Sequence, residues 1–165
     1  MLIKKIFNNL QGIWKFHRKL KLKAKNVSCG EAVGTAVFEK TDNNLLFYRE
    51  EGVLTTPGGE QLKIYRENFY EYSEKDDNIV KFFSENKQKL TFMYDLKFSK
   101  TEKNINANGK HICINDTYEA SFTFPENEFD KFSLIYDVTG PTKDYLSETS
   151  YERQVPKTLA SRSSV

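Results

Sequence analysis

The 165-residue sequence predicts an all-β fold, an antiparallel up-and-down barrel of 8 to 10 strands with a short N-terminal helix. Three observations favour this fold. Long segments alternate apolar and polar residues with period two, which is typical of strands with one buried face. Clusters of Asn, Asp, Gly and Pro separate these segments at hairpin spacing. The segments are not separated by helical patterns of ten or more residues, which argues against a parallel sheet.

The first element is a short helix, because five apolar residues recur at helical spacing: Leu2, Ile3, Ile6, Phe7 and Leu10. We expect it to cap one end of the barrel. The period then changes to two. Trp14, Phe16, Arg18 and Leu20 share one face of the first strand, and the intervening residues are basic.

Eight further strands are predicted near residues 31–39, 45–54, 61–72, 79–84, 89–98, 111–124, 132–138 and 145–153. Turn residues occupy positions 42–44, 57–59, 75–77, 85–87 and 106–109. Closing such a series of hairpins into a barrel would remove exposed strand edges.

Composition is consistent with one barrel domain over residues 1–153. Aromatic residues make up 14% of the chain, within a hydrophobic content of only 38%, and aromatic side chains favour strands. From residue 154 onward the text QVPKTLASRSSV predicts a disordered tail. Two cysteines, Cys29 and Cys113, are too few for a disulfide framework and indicate the cytoplasm. The apolar runs are shorter than a membrane span or a secretory signal requires.

Charged residues that share a face with apolar residues predict a polar pocket inside the barrel. Arg18 lies in register with Trp14 and Phe16, and Arg66 with Leu62 and Ile64. Arg49 and Glu51 alternate with Leu45, Phe47 and Val53, and Asp116 shares the parity of Ile112, Ile114, Tyr118 and Phe122. Buried charges must be paired or must contact a ligand. The predicted pocket residues are Arg18, Glu50, Arg66, Asp116, Tyr118, Lys143, Asp144, Tyr145, Tyr151 and Arg153.

The segment Leu10-Gln11-Gly12-Ile13-Trp14, followed by Arg18, resembles the L-x-G-x-W start of lipocalin-like, or calycin, barrels. In those barrels the Trp closes one end and packs against a basic residue near the last strand. The resemblance implies that Arg153 fills this role here.

A wider pattern, from about Leu10 to Arg153, is similar to the family known as the domain of unknown function 6314. The resemblance rests on these segments: Gly34-x-Ala36-x-Phe38, Tyr48-x-Glu50-x-Gly52, Tyr65-Arg66, His111-x-Cys113-x-x-Asp116-x-Tyr118, Gly140-Pro141-x-Lys143-Asp144-Tyr145 and Tyr151-x-Arg153. The family has no known activity, so the resemblance implies a lipocalin-like barrel without implying a reaction.

Three functions follow from these residues. The first is binding of a small anionic or polar aromatic ligand in the charged lumen, because guanidinium groups bind carboxylate and phosphate bidentately. The alternative is that the charges in the lumen pair only with each other, fix the strand register and bind no ligand. The second function is a cofactor-free lyase or isomerase. In that reading Arg66 holds a carboxylate, Tyr118 and Tyr145 polarise a carbonyl, and Glu50 or Asp116 moves a proton.

The third function is nucleic-acid binding, since residues 1–25 carry eight Lys or Arg and no acid. Phe7, Trp14 and Phe16 would supply stacking, although the strand pattern turns two of them inward. His111 and Cys113 have metal-ligand spacing, but Asp116 falls on the opposite face. No metal or cofactor is therefore predicted, and binding ranks above catalysis. Whether the protein forms a homodimer is left open.

Overall fold

The computed structural model describes residues 2–154, which form one helix and eleven strands. Helix α1 spans Leu2–Leu10. The strands are β1 (Gly12–Leu22), β2 (Val27–Asp42), β3 (Leu45–Thr55), β4 (Gln61–Ser73), β5 (Asn78–Glu85), β6 (Gln88–Asp95), β7 (Lys97–Lys100), β8 (Asn104–Cys113), β9 (Asp116–Pro125), β10 (Lys131–Thr139) and β11 (Asp144–Arg153).

The strands form one antiparallel sheet in the order β6-β5-β4-β3-β2-β1-β11-β10-β9-β8-β7. Its two edge strands, β6 and β7, are consecutive in the chain and are separated by Leu96 alone. Strand β6 also lies against β8, so the sheet curls into a nearly closed barrel. The predicted all-β antiparallel barrel with an N-terminal helix is therefore confirmed.

The prediction of 8 to 10 strands is wrong, since the described residues form eleven. The segment 89–98 breaks at Leu96 into β6 and β7. The segment 111–124 belongs to β8 and β9, which a two-residue turn joins. Ile114 adopts a left-handed conformation there (φ 57°), which is rare for a β-branched residue and hides the turn from sequence patterns.

The turn predicted at residues 106–109 is also wrong, because these residues lie inside β8. Gly109 serves a different purpose from a turn glycine. The ring of Tyr94 on β6 packs directly against its backbone, and a Cβ at this position would collide with that ring. Glycine therefore permits close contact at the seam between β6 and β8.

Helix α1 closes one end of the barrel, as predicted. Ile6, Phe7 and Leu10 point inward and are buried, and the ring of Phe7 packs against Tyr72 at the end of β4. The indole nitrogen of Trp14 donates a hydrogen bond of 2.9 Å to the carbonyl of Leu10. This bond joins the helix to the first strand and fixes the closed end.

Arg153 completes the closed end. Its guanidinium lies 4.3 Å from the centre of the Trp14 ring and donates to the backbone carbonyls of Asn9 and Gln11. It also contacts the carboxylate of Asp130 at 2.7 Å. The expectation that Arg153 packs on the tryptophan is confirmed.

Strand β3 shows which charges enter the barrel. Its inner face carries Tyr48 and Glu50, both buried, whereas Glu51 is exposed. Strand parity predicted Arg49 and Glu51 on the inner face, which is wrong by one residue, whereas Glu50, also predicted as a pocket residue, does lie inside. The reason for the error is Phe47, which is buried on the outer face against the ring of Phe69 at 5.1 Å and so mimics a core position.

The tail predicted from residue 154 lies, apart from Gln154, outside the described residues. Gln154 still belongs to the barrel end, since its backbone N–H donates to the carbonyl of Ile13. Helix α1 is too short to cross a membrane, and residues 2–154 contain no longer apolar helix.

Candidate functional site

The end of the barrel opposite α1 opens into a cavity of about 890 Å³. We call this opening the mouth; Leu22, Phe83 and Tyr145 line it. The floor lies deeper, towards the helix-capped end, and carries five ionisable side chains: Arg18, Glu50, Lys81, Tyr94 and Tyr136. A cavity of this size is within the range that proteins use for small-molecule ligands.

Arg18 and Glu50 form a buried, bidentate ion pair at the floor. The two distances are 2.7 Å (Nη1 to Oε2) and 2.9 Å (Nη2 to Oε1), and the side chains are 5% and 1% exposed. Arg18 Nε donates to the hydroxyl of Thr149, and the Tyr48 hydroxyl donates to Glu50 Oε1 at 2.6 Å. The geometry is that of a strong, fully desolvated pair.

The pair keeps Glu50 ionised. Burial by itself raises the pKa of the Glu50 carboxyl, but the hydrogen bonds and charge of Arg18 outweigh burial and hold this pKa below its ordinary value. Burial likewise opposes the charge of Arg18, and the bond to Glu50 raises the pKa of its guanidinium. At neutral pH Glu50 is thus an ionised counter-ion of Arg18, and proton transfer by it is disfavoured.

Arg66 lies beside this pair without a partner of its own. It faces Glu50 across the β3–β4 ladder and lines the cavity, yet it forms no side-chain hydrogen bond or ion pair with any residue of 2–154. Its charge still reaches the lumen, since it lowers the pKa of both Lys81 and Tyr136. Arg66 is a solvent-exposed residue of the cavity lining, so its guanidinium donors are accessible to water and to a ligand.

A second polar cluster, Lys81 with Tyr136 and Tyr94, was not predicted from the sequence. Lys81 Nζ donates to the Tyr136 hydroxyl at 2.8 Å, and that hydroxyl lies 2.7 Å from the Tyr94 hydroxyl. The side chains come from β5, β10 and β6, and all three line the cavity. In the sequence, none of the three differs from an ordinary strand residue. The one available signal was that Lys81 alternates in step with Ile79 and Phe83, which predicts that it lies on the inner face of β5.

Burial and mutual charge perturb the cluster strongly. Lys81 is only 3% exposed, and burial lowers the pKa of its ammonium group. Burial would raise the pKa of Tyr136, but the neighbouring ammonium of Lys81 reverses the effect and lowers it. For Tyr94, burial together with the adjacent Tyr136 raises the pKa. The lysine is less basic and one tyrosine more acidic than usual.

Asn68 supplies the one buried side-chain oxygen or nitrogen without a hydrogen-bond partner among the described residues, its Oδ1 atom. Its amide nitrogen donates to the Phe82 carbonyl at 3.3 Å, which fixes the amide orientation. An unsatisfied buried acceptor costs about 1–3 kcal/mol. The residue is 4% exposed and belongs to the cavity wall.

Of the ten predicted pocket residues, five line the cavity: Arg18, Glu50, Arg66, Tyr118 and Tyr145. Two more stand beside Tyr118 near the mouth. Lys143 Nζ donates to the Tyr118 hydroxyl at 2.8 Å and lies 3.4 Å from the carboxylate of Asp116. The hydrogen bonds to Tyr118 and Asp116 raise the pKa of Lys143.

The other three predicted residues lie away from the cavity. Asp144 forms an ion pair with Lys23 at 3.1 Å. The Tyr151 hydroxyl contacts that of Tyr48 at 3.0 Å, and burial raises the pKa of Tyr151 to about 12. Arg153 belongs to the closed end. The alternation of residues along a strand predicts which side of the sheet a residue occupies. It does not predict how far along the barrel axis that residue lies, because this position depends on the register between strands.

His111 and Cys113 line the cavity on the same side as Tyr118. The sequence pattern predicted Asp116 on the face opposite His111. In the structure the two-residue turn at Ile114 and Asn115 pairs Cys113 with Asp116 and His111 with Tyr118, so Asp116 lies on the same face as His111. Within residues 2–154, no group of three or more His, Cys, Asp or Glu side chains could hold a metal ion.

The basic N-terminal segment offers no exposed stacking surface. Phe7, Trp14 and Phe16 are each at most 3% exposed. Several basic side chains of this segment pair with acids of neighbouring strands, as Lys21 does with Glu148 and Lys23 with Asp137. The charge asymmetry of the sequence is thus partly balanced on the barrel surface.

A family model described as a family of unknown function, DUF6314, matches residues 10–153. The chain belongs to this family. The match confirms the resemblance read from the sequence and covers every strand from β1 to β11. No curated protein matches the chain.

Among solved structures, the barrel is similar to the S-type phycobiliprotein lyase CPES from Guillardia theta. The TM-score is 0.66 at 8% identity, and the alignment covers 94% of each chain. Weaker likenesses include a redesigned β-barrel, mFAP1, bound to DFHBI (TM-score 0.42, 11% identity, 90% of this chain and 98% of that chain). Another is EF1p2_mFAP2b bound to DFHBI (TM-score 0.46, 10% identity, 92% and 99%). At these identities the likeness extends to the fold alone.

Proposed function

We propose that the barrel binds one small molecule that carries a carboxylate or phosphate and an aromatic or conjugated part. The observation that carries this proposal is Arg66, a guanidinium that lines the cavity and has no ion-pair or hydrogen-bond partner within residues 2–154. The neighbouring carboxylate, Glu50, is already held by Arg18. An anionic group on the ligand would supply the missing partner through bidentate hydrogen bonds.

The charge balance of the lining supports an anion. Four lining residues are cationic and two are carboxylates: Arg18, Lys63, Arg66 and Lys81 against Glu50 and Glu67. The excess is two positive charges when Tyr136 is neutral and one when its phenol is ionised. Walls of low dielectric concentrate this field inside the cavity. A neutral or cationic ligand would leave the excess uncompensated.

The aromatic part of the ligand is supported by the rings near the mouth. Phe83, His111, Tyr118 and Tyr145 line this region, and His111 packs 5.1 Å from the ring of Phe83. Such rings give a flat ligand stacking surface at a small cost in side-chain entropy. The positive charge deep in the cavity and the aromatic rings near its mouth together favour a ligand with an anionic group at one end and an aromatic group at the other.

Calorimetric titration with phenylpyruvate and its neutral analogue phenylacetone would test the role of Arg66. We expect the wild-type protein to prefer the carboxylate by about tenfold or more, the effect of one charge-assisted contact of about 1.5–3 kcal/mol. In Arg66→Gln this preference should disappear. Arg49→Gln is the matched control, since it removes the same charge from the same sheet outside the cavity lining.

Equal affinity for the two probes, no measurable binding of phenylpyruvate, or an unchanged preference in Arg66→Gln would refute the proposal. Native mass spectrometry of the purified protein adds an independent measurement. A co-purified molecule with a carboxylate or phosphate supports the proposal, and a cationic one contradicts it.

A further inference from the structure

The contact between Lys81 and Tyr136 is suited to proton transfer. The lysine nitrogen and the phenolic oxygen are 2.8 Å apart, and both side chains line the cavity. Tyr94, at 2.7 Å on the other side, holds the phenolic oxygen in place. A proton can therefore pass between the two groups without movement of the backbone, and both groups border the space that a ligand would occupy.

No carboxylate neutralises this lysine by direct contact among the described residues. Three tyrosine rings surround its nitrogen instead, with centres at 5.1, 5.6 and 5.4 Å for Tyr70, Tyr94 and Tyr136. A buried ammonium stabilised by rings and one phenol gives up a proton more readily than a salt-bridged one. The lowered pKa of both Lys81 and Tyr136 agrees with this arrangement.

We propose that Tyr136 and Lys81 are a catalytic acid–base pair that interconverts the keto and enol forms of a keto acid bound in the cavity. This activity rests on the binding function proposed above, because Arg66 would hold the substrate carboxylate. Glu50 is an unsuitable base, since Arg18 and Tyr48 occupy its oxygens. The pair needs no metal or cofactor.

The step balances within the pair. The Tyr136 phenolate removes a proton from the carbon next to the carbonyl, and the electrons of that C–H bond form the enol double bond. The carbonyl π electrons move to its oxygen, which takes a proton from the Lys81 ammonium. The proton now on Tyr136 then returns to Lys81 across their hydrogen bond. The protein regains its starting state, and the substrate is isomerised without loss or gain of atoms.

Tautomerisation of phenylpyruvate provides the test, followed through the decay of the ultraviolet absorbance of its enol. We expect the wild-type protein to accelerate the decay over buffer, and Tyr136→Phe and Lys81→Met each to reduce kcat by about 100-fold or more. Tyr72→Phe is the matched control. Tyr72 lies at the closed end with its hydroxyl on Asp77, and its removal should leave kcat unchanged.

A titration measures the pair without relying on turnover. In protein labelled at the tyrosine ring carbon, the Tyr136 signal, identified by its loss in Tyr136→Phe, should titrate below the ordinary tyrosine value near 10. In Lys81→Met it should titrate at a higher pH. The charged and titratable groups facing Tyr136 are Lys81 from β5, Tyr94 from β6, and Arg66 and Tyr70 from β4.

The outcomes separate the two proposals. Binding of phenylpyruvate without acceleration, or acceleration that survives in folded Tyr136→Phe, overturns the acid–base pair and leaves the binding function standing. Absence of both binding and acceleration overturns both. If binding is retained in Tyr136→Phe and Lys81→Met while kcat is lost, the pair is catalytic. Arg66→Gln should act mainly through KM.

Discussion

The buried ion pair at the cavity floor gives the sharpest stability prediction. Glu50→Gln preserves the volume of the side chain but removes its charge, so Arg18 remains buried opposite a neutral amide. Glu50 accepts three bonds of 2.6 to 2.9 Å and is 1% exposed, so little solvent can replace the lost partner. Breaking such a pair from one side costs about 3–5 kcal/mol.

Urea unfolding at neutral pH, followed by the fluorescence of the single tryptophan, Trp14, measures this loss of unfolding free energy. Glu31→Gln is the control, because Glu31 pairs with His17 on the surface with both side chains about half exposed. We expect its effect on the unfolding free energy to be much smaller than that of Glu50→Gln, because solvent screens an exposed pair. A loss in Glu50→Gln no larger than that of the control would refute the reasoning.

If Glu50→Gln fails to fold, the double variant Arg18→Met with Glu50→Leu keeps the prediction testable. Replacing both charges with apolar side chains removes the uncompensated guanidinium, and such replacements are often neutral in stability. The double variant should therefore be more stable than Glu50→Gln alone. A double variant that is equally unstable would show that shape, rather than charge, decides the stability of the floor.

Three further outcomes follow. The pKa of Glu50 is lower in the folded state than its unfolded value near 4.5. Its contribution to the unfolding free energy is therefore complete above that unfolded pKa and is lost as pH falls through the folded pKa. The stability difference between wild type and Glu50→Gln should accordingly shrink from pH 7 to pH 3. Arg153→Gln should cost about 1–3 kcal/mol in urea unfolding, because the carbonyls of Asn9 and Gln11 lose their donor, and it should shift the Trp14 emission, because the guanidinium no longer lies on the indole. Gly109→Ala should displace the Tyr94 ring, cost about 1–3 kcal/mol and change the ring-carbon NMR signal of Tyr94.

The sequence was sufficient for the barrel because period-two alternation and turn residues are local signals. The sequence-based prediction failed at positions where one residue type is compatible with two different structural roles. Gly109 has the composition of a turn, but it lies in a strand because a tyrosine ring needs its surface. Phe47 has the hydrophobicity of a core residue but lies on the outer face. Strand parity therefore placed Arg49 and Glu51 inside as well, although Glu50 was also predicted as a pocket residue.

The candidate site was predictable only in part, for a geometric reason. Arg18 and Arg66 could be found because a charge within an apolar face is conspicuous on a single strand. Lys81, Tyr94 and Tyr136 come from three strands, and only the curvature of the sheet brings their polar ends together. Pairwise contact across a barrel is not encoded in the periodicity of any one segment.

The junction of β6 and β7 has a mechanical consequence. The hydrogen-bond ladder around the barrel is interrupted there, because these two strands are not paired with each other within residues 2–154. Widening the barrel at this junction requires side chains to slide, whereas widening it elsewhere requires backbone hydrogen bonds to break. Tyr94 lies on β6 and packs across to Gly109 on β8. A large ligand that separated β6 from β8 would therefore displace Tyr94, whose hydroxyl contacts that of Tyr136. The width of the barrel at this junction is thus linked to the geometry of the Lys81–Tyr136 contact.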